Sequence, residues 1–195
     1  MQKTRNVFLF AICALMAACN SDYIIKPRGY YKIELPQKQY QKFEQAGYPY
    51  AFEYPVYGKV VKDTSFFEAK ADPYWINIDF PQLNSRIYIS YKNIARSSFD
   101  SLVNDSYKMA YTKHTDVATS IKPVPFTTPG GLEGVYFTLK GSTATANQFF
   151  VTDTTKHFLR GALYFDATPN EDSLRPVNEF LKKDLEHLIN TIRWK

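Results

Sequence analysis

Two runs of alternating side chains, separated by a proline-led turn, constrain the fold of this chain more than any other feature. Tyr74, Ile76, Ile78 and Phe80 alternate with Trp75, Asn77 and Asp79. After Pro81 to Asn84 the alternation resumes with Ile87, Ile89 and Tyr91 against Arg86, Tyr88 and Ser90. Successive side chains of a strand point to opposite faces, so a period of two gives each run an apolar face, whereas a helix would scatter the same residues around its axis. The pattern predicts an antiparallel hairpin with one buried face.

The next segment changes period. Ser97 or Ser98 is placed to cap a helix whose apolar face takes Phe99, Leu102, Val103 and Tyr107 and which ends near His114. Asp100 lies near its positive end, and Lys108 and Lys113 near its negative end. Lys122 to Gly134 holds three prolines and three glycines and reads as a loop. Three strands come next, Val135 to Lys140, Ala144 to Thr152 and His157 to Phe165, with turns at Gly141 to Ser142 and Asp153 to Lys156. A last helix is expected after Ser173, with Pro176 in its first turn and Val177, Leu181, Leu185, Leu188 and Ile192 as one stripe for packing against a sheet. This order predicts an α+β fold, an αβα sandwich in which two main helices pack on a central antiparallel sheet. In element order it resembles the sandwich shared by PsbP proteins and Mog1.

The N-terminal part reads differently. Lys3 and Arg5 precede an apolar stretch from Val7 to Ala18, and Met16, Ala17 and Ala18 stand directly before Cys19. An apolar run of about 12 residues is too short to span a bilayer and suits the core of a signal peptide. Residues 1–18 are therefore expected to be removed as a lipoprotein signal, leaving Cys19 as the acylated first residue. Several acyl chains make such anchoring stable where one would be marginal. The alternative is an ordinary secretory signal that leaves a free thiol.

Residues 19–26 then form a tether, and 27–195 a single domain with an extended N-terminal arm. Pro27, Pro36, Pro49 and Pro55 interrupt the Tyr-rich stretch between Lys26 and Tyr57, which is expected to wrap the domain instead of building its centre.

Cys13 leaves with the signal and Cys19 is acylated, so the mature domain keeps neither of the two cysteines for a disulfide, a thiol nucleophile or a thiolate metal site. Packing must stabilise it, and fifteen Tyr and fifteen Phe supply the area. The formal charge of +5 includes Lys3 and Arg5, and the remaining basic residues are dispersed, a pattern that gives nucleic-acid binding no support.

Catalytic constellations are equally sparse. The three histidines, His114, His157 and His187, have no metal-binding helix spacing, and each is expected to cap or lie on the surface. Gly130, Gly131 and Gly134 precede a strand and no Lys-Ser or Lys-Thr comes after them, so a turn with positive φ explains them better than a phosphate loop. Asp63, Glu68, Asp72 and Asp79 read as solvated acids. No catalytic residue, metal site or cofactor is expected. The best recognition candidates are Lys26, Pro27, Arg28, Gly29, Tyr30 and Tyr31: a stiff arm carrying a guanidinium fork and amphipathic rings, suited either to a partner or to docking on its own domain.

A lipoprotein cysteine with Lys26-Pro27-Arg28-Gly29-Tyr30 and Lys32-Ile33-Glu34-Leu35-Pro36 downstream resembles the gliding-motility lipoprotein GldD family of the Bacteroidetes. Tyr48-Pro49-Tyr50, Phe52 and Trp75-Ile76-Asn77-Ile78 extend the likeness over the mature chain. The resemblance implies a noncatalytic envelope lipoprotein, lipid-anchored through Cys19 at the outer membrane. It implies a role in gliding and the associated type IX protein secretion, with other gliding and secretion lipoproteins as partners. A surface glycan-binding module, with Tyr side chains and Trp75 stacking on sugars, is the alternative reading.

Overall fold

The computed structural model describes residues 32–62, 72–112 and 114–195. The chain divides into Met1–Ile33 and a compact unit, Glu34–Lys195. Lys32 and Ile33, the described part of the first, are exposed and carry no regular secondary structure.

Among the described residues of the compact unit are ten strands and two α-helices. In chain order these are β1 (Tyr40–Phe43), β2 (Tyr50–Pro55), β3 (Lys59–Lys62), β4 (Ile76–Phe80), β5 (Ser85–Asn93), α1 (Phe99–Tyr111), β6 (Ala118–Thr127), β7 (Glu133–Gly141), β8 (Asn147–Thr152), β9 (His157–Phe165), α2 (Glu171–Thr191) and β10 (Arg193–Trp194). A seven-stranded sheet has the order β3-β4-β5-β9-β8-β7-β6, and a three-stranded sheet has the order β1-β2-β10. Every pairing is antiparallel. The fold is α+β.

The predicted hairpin is present, and its register places Ile76 opposite Ile89 and Ile78 opposite Ile87. Its turn is a short 3-10 helix, Pro81–Leu83, closed by Asn84 with φ of 47°, a left-handed conformation that Asn tolerates through its short polar side chain. The meander β7-β8-β9 pairs as read from the sequence.

Alternation in these strands separates two cores. Phe149, Val151, Leu159, Leu163, Ile87 and Ile89 lie on one face with Val177, Leu181, Leu185, Leu188 and Ile189 of α2. Val135, Phe137, Leu139, Phe150 and Phe158 lie on the other with Ala110, Leu102, Val103 and Tyr107 of α1. The helices therefore flank the sheet from opposite sides.

Ser98 caps α1, its hydroxyl accepting from the Ser101 N–H at 3.4 Å, with Asp100 in the first turn and Lys108 in the last.

Four expectations are corrected. The prolines of residues 26–57 suggested a wrapping arm, yet Tyr50 and Phe52 are fully buried in the main core. Here β2 is the centre strand of a separate small sheet, so its prolines need only sit at its margins, and Pro55 is its last residue. The expected loop at 122–134 is mostly strand, because β6 runs to Thr127. It is an edge strand, and Pro123 and Pro125, two residues apart, share one side of it, where their missing N–H groups face no neighbour.

Helix α2 begins a turn earlier than Pro176 implied. Asn170 caps it by accepting the Ser173 N–H at 3.0 Å, so Pro176 lies inside the helix and withholds the donor that the Asp172 carbonyl would otherwise receive. Finally, the glycines divide by cause. Gly131 has φ of 79° in a turn, while Gly134 lies in β7 against the Phe150 carbonyl and the Phe126 ring, where a Cβ has no room.

Candidate functional site

Cys19 and the segment Lys26, Pro27, Arg28, Gly29, Tyr30 and Tyr31 lie outside the described residues. Downstream of them a strap runs from Glu34 into β1 and is attached to α2 by a group of polar contacts. The strap is held by one carboxylate. Asp184 has no exposed side-chain surface, and its Oδ1 accepts from Lys38 Nζ at 2.6 Å and from the Tyr40 hydroxyl at 2.9 Å, while the Tyr57 hydroxyl donates to its Oδ2. Lys38 also donates to the Phe180 carbonyl at 3.0 Å and stands 3.6 Å from the centre of the Phe180 ring.

Further along the same helix, His187 Nε2 is 2.9 Å from Glu53 Oε2, and the His187 ring stacks on Tyr40 at 3.6 Å. Thr191 Oγ1 accepts the Glu53 N–H at 2.9 Å. Phe180, Asp184, His187 and Thr191 keep helical spacing, so one stripe of α2 meets both the strap and β2.

Electrostatics explains the arrangement. A buried carboxylate is tolerated only when paired and hydrogen-bonded, and two hydroxyls plus an ammonium satisfy this one. Burial, with the Asp184 hydrogen bond and charge next in size, pushes the Tyr40 hydroxyl up to about 12. The same causes, burial again first, raise Tyr57. Both phenols remain donors at neutral pH.

Sequence reasoning missed Asp184, although a cue was present. It lies three residues after Leu181 and four before Leu188, on the apolar stripe, where an acid requires a partner.

The histidines are more buried than expected. His114 and His157 are both in the interior, and only His187 is partly exposed. Burial lowers the His114 pKa, and the positive charge of Arg160 lowers it further. His157 Nδ1 lies 2.7 Å from the Tyr91 hydroxyl, and its ring stacks on Trp194 at 5.0 Å. Burial lowers its pKa against the opposing charge of Asp153. Burial also acts to raise Asp153, but the N–H groups of His157, Lys156 and Thr155 outweigh it and hold that carboxyl below its usual range.

Asp63 and Glu68 lie outside the described residues. Asp72 accepts the Tyr74 N–H at 3.1 Å, and Asp79 binds Arg86 at 2.5 and 3.0 Å. Trp75 donates to the Tyr91 carbonyl at 3.0 Å, with the Lys92 ammonium 4.5 Å from its ring centre. Among the described residues no group of three His, Cys, Asp or Glu is placed to hold a metal, and no helix is long and apolar enough to cross a membrane.

Taken together, fold and site define an α+β domain whose N-terminal strap is fastened to its C-terminal helix by a buried acid. The sequence model of the gliding motility lipoprotein GldD family matches residues 20–194, and the chain belongs to that family. Membership gives it a gliding-motility lipoprotein role and membrane association through a lipid anchor. No curated protein sequence matches it. Among solved structures it is similar to the cyanobacterial PsbP protein (CyanoP) of Synechocystis sp. PCC 6803, at 9% identity and a TM-score of 0.47, over 88% of this chain and 99% of that one.

Proposed function

We propose that this protein is a noncatalytic assembly component of the gliding apparatus and its associated type IX secretion system. In this reading Cys19 holds it at the outer membrane, and Lys26 to Tyr31 contact neighbouring gliding and secretion lipoproteins. The observation that carries the mechanism is the clamp at Asp184, which joins the strap to the last helix at Lys38 and Tyr40. The chain from Cys19 to Lys38 can reach no more than about 65 Å when extended, so the domain works close to its leaflet. Confinement raises its effective concentration for another anchored partner, and weak contacts then suffice.

The test is crosslinking in intact cells together with complementation of a deletion strain. A Cys19→Ala chain is expected to restore neither gliding nor secretion, and an Arg28→Ala, Tyr30→Ala chain to lose its crosslinked envelope partners. Full restoration by the unlipidated chain would overturn the anchored mechanism.

A further inference from the structure

Arg160 stands in β9, the middle strand of the seven, between Ser90 of β5 and Phe150 of β8. Its guanidinium donates to Gln148 Oε1 at 2.6 Å, and Gln148 is the register partner of Ala162, so the side chain leans along the sheet toward that small residue. Among the described residues this is its one side-chain hydrogen bond, and no acid pairs with it. A charge drawn into the interior is ordinarily met by an opposite one. Burial lowers the Arg160 pKa, and the group opposing this is the Tyr164 hydroxyl, not a carboxylate. Asp79, on the same face of the sheet, is closed onto Arg86 at 2.5 and 3.0 Å.

The groups around the guanidinium are donors. Gln148 is 1% exposed, and with its oxygen committed to Arg160 its Nε2 is buried without a partner. A buried amide left in that state calls for a missing acceptor. His114, 4% exposed, lies close to Arg160: burial lowers its pKa first and the Arg160 charge lowers it further, so at neutral pH it is an uncharged imidazole with one N–H to give. Burial raises the Tyr164 hydroxyl against the Arg160 charge and keeps its proton in place. The negative end of α1 eases the cation but offers it no bidentate acceptor. Helix α1 packs on Val135, Phe137, Leu139, Phe150 and Phe158, and Tyr88, on the β5 side, is 38% exposed and meets Tyr164 edge to face at 5.4 Å. Approach is therefore from the β5 side.

We propose that Arg160 receives a carboxylate, carried either by an acidic side chain of a partner protein or by a small free acid. The planar guanidinium matches a carboxylate bidentately, and an oxygen lodged against it gives Gln148 Nε2 the acceptor it lacks. No residue of Lys26 to Tyr31 takes part, so this site can fail while the partner role assigned to that segment stands.

The experiment follows the Gln148 side-chain amide and the His114 ring by NMR in the full chain in non-ionic detergent. Sodium acetate is titrated in at neutral pH, with sodium chloride holding the ionic strength constant. Acetate is expected to shift both resonances saturably, and acetamide, of the same shape without the charge, to leave them in place. Arg160→Lys keeps the charge and loses the fork, so it should weaken acetate about tenfold, as loss of one charge-assisted hydrogen bond predicts. Arg175→Lys, at an exposed position on α2, should change nothing. Gln148→Glu supplies the carboxylate from within: it is expected to fold, to melt at a higher temperature than wild type and to bind no acetate. N-acetyl-aspartate amide distinguishes the sources, since binding tighter than acetate by about tenfold or more assigns a partner side chain and any smaller difference assigns a free acid. No saturable shift with acetate, an equal shift with acetamide, or undiminished acetate binding by Gln148→Glu would overturn the proposal.

Discussion

Replacing Asp184 by asparagine keeps the volume of the side chain and removes the charge on which the strap converges. The carboxylate is fully buried and receives three donors, of which Lys38 is itself about a quarter exposed, at 26%. Breaking a buried pair by removing one partner costs about 3–5 kcal/mol, and the exposure of Lys38 places this case at the lower end. A loss of about 3 kcal/mol should lower the melting temperature of a domain this size by roughly 6–12 °C. Urea unfolding of wild type, Asp184→Asn, Lys38→Met and the double variant measures both the loss and the coupling. Coupling of at least about 1 kcal/mol is expected. If Lys38→Met destabilises the asparagine background as much as the wild type, the clamp contributes nothing and the argument fails.

Acidification offers a second test. His114 and His157 have folded pKa values below the ordinary 6.5, so their stabilising contribution is complete above that value. The unfolded chain takes up protons first as pH falls through 6.5, and the contribution disappears on passing the lowered folded values. Urea midpoints should therefore decline from about pH 7.5 to about pH 5, less steeply in His157→Gln; a flat profile in the wild type would contradict the burial argument. Tyr40 runs the other way: its contribution is intact below about 10 and lost as pH rises through about 12, so Tyr40→Phe should delete one late step from an alkaline absorbance titration. Gly134→Ala should destabilise by about 1–3 kcal/mol, because the added methyl meets a backbone carbonyl that cannot yield, and wild-type stability would refute the packing at β6 and β7. Leu185→Ala, in the stripe beneath the main core, should cost about 2–5 kcal/mol by calorimetry or urea unfolding.

The hairpin of β4 and β5 was legible because one periodic pattern marked both strands and their apolar face. Helix α1 was equally clear, with a serine cap and a stripe of Phe99, Leu102, Val103 and Tyr107 at helical spacing. Errors arose where a proline was judged without its neighbours. Pro123 and Pro125 exclude a central strand but suit an edge, and whether β6 is an edge depends on sheet order, which no local window contains. The short β10, two residues long, could not be read either, since it exists only because β2 offers Tyr50 and Ala51 as partners. His157 was misjudged for a related reason: its burial comes from Trp194 and Tyr91, which are distant in sequence.

By itself the sequence determined the fold class, the two helices, the hairpin and the meander, and it marked Cys19 and the Lys26 to Tyr31 arm as the candidate anchor and contact segment. These depend on periodicity and capping, which neighbours along the chain express without help. Tertiary structure alone decided that Tyr50 and Phe52 enter the core and that Asp184 fastens Lys38, Tyr40 and Tyr57. Each of those joins residues far apart in the chain, and a charge or ring acquires its energetic meaning only from the groups that folding places against it.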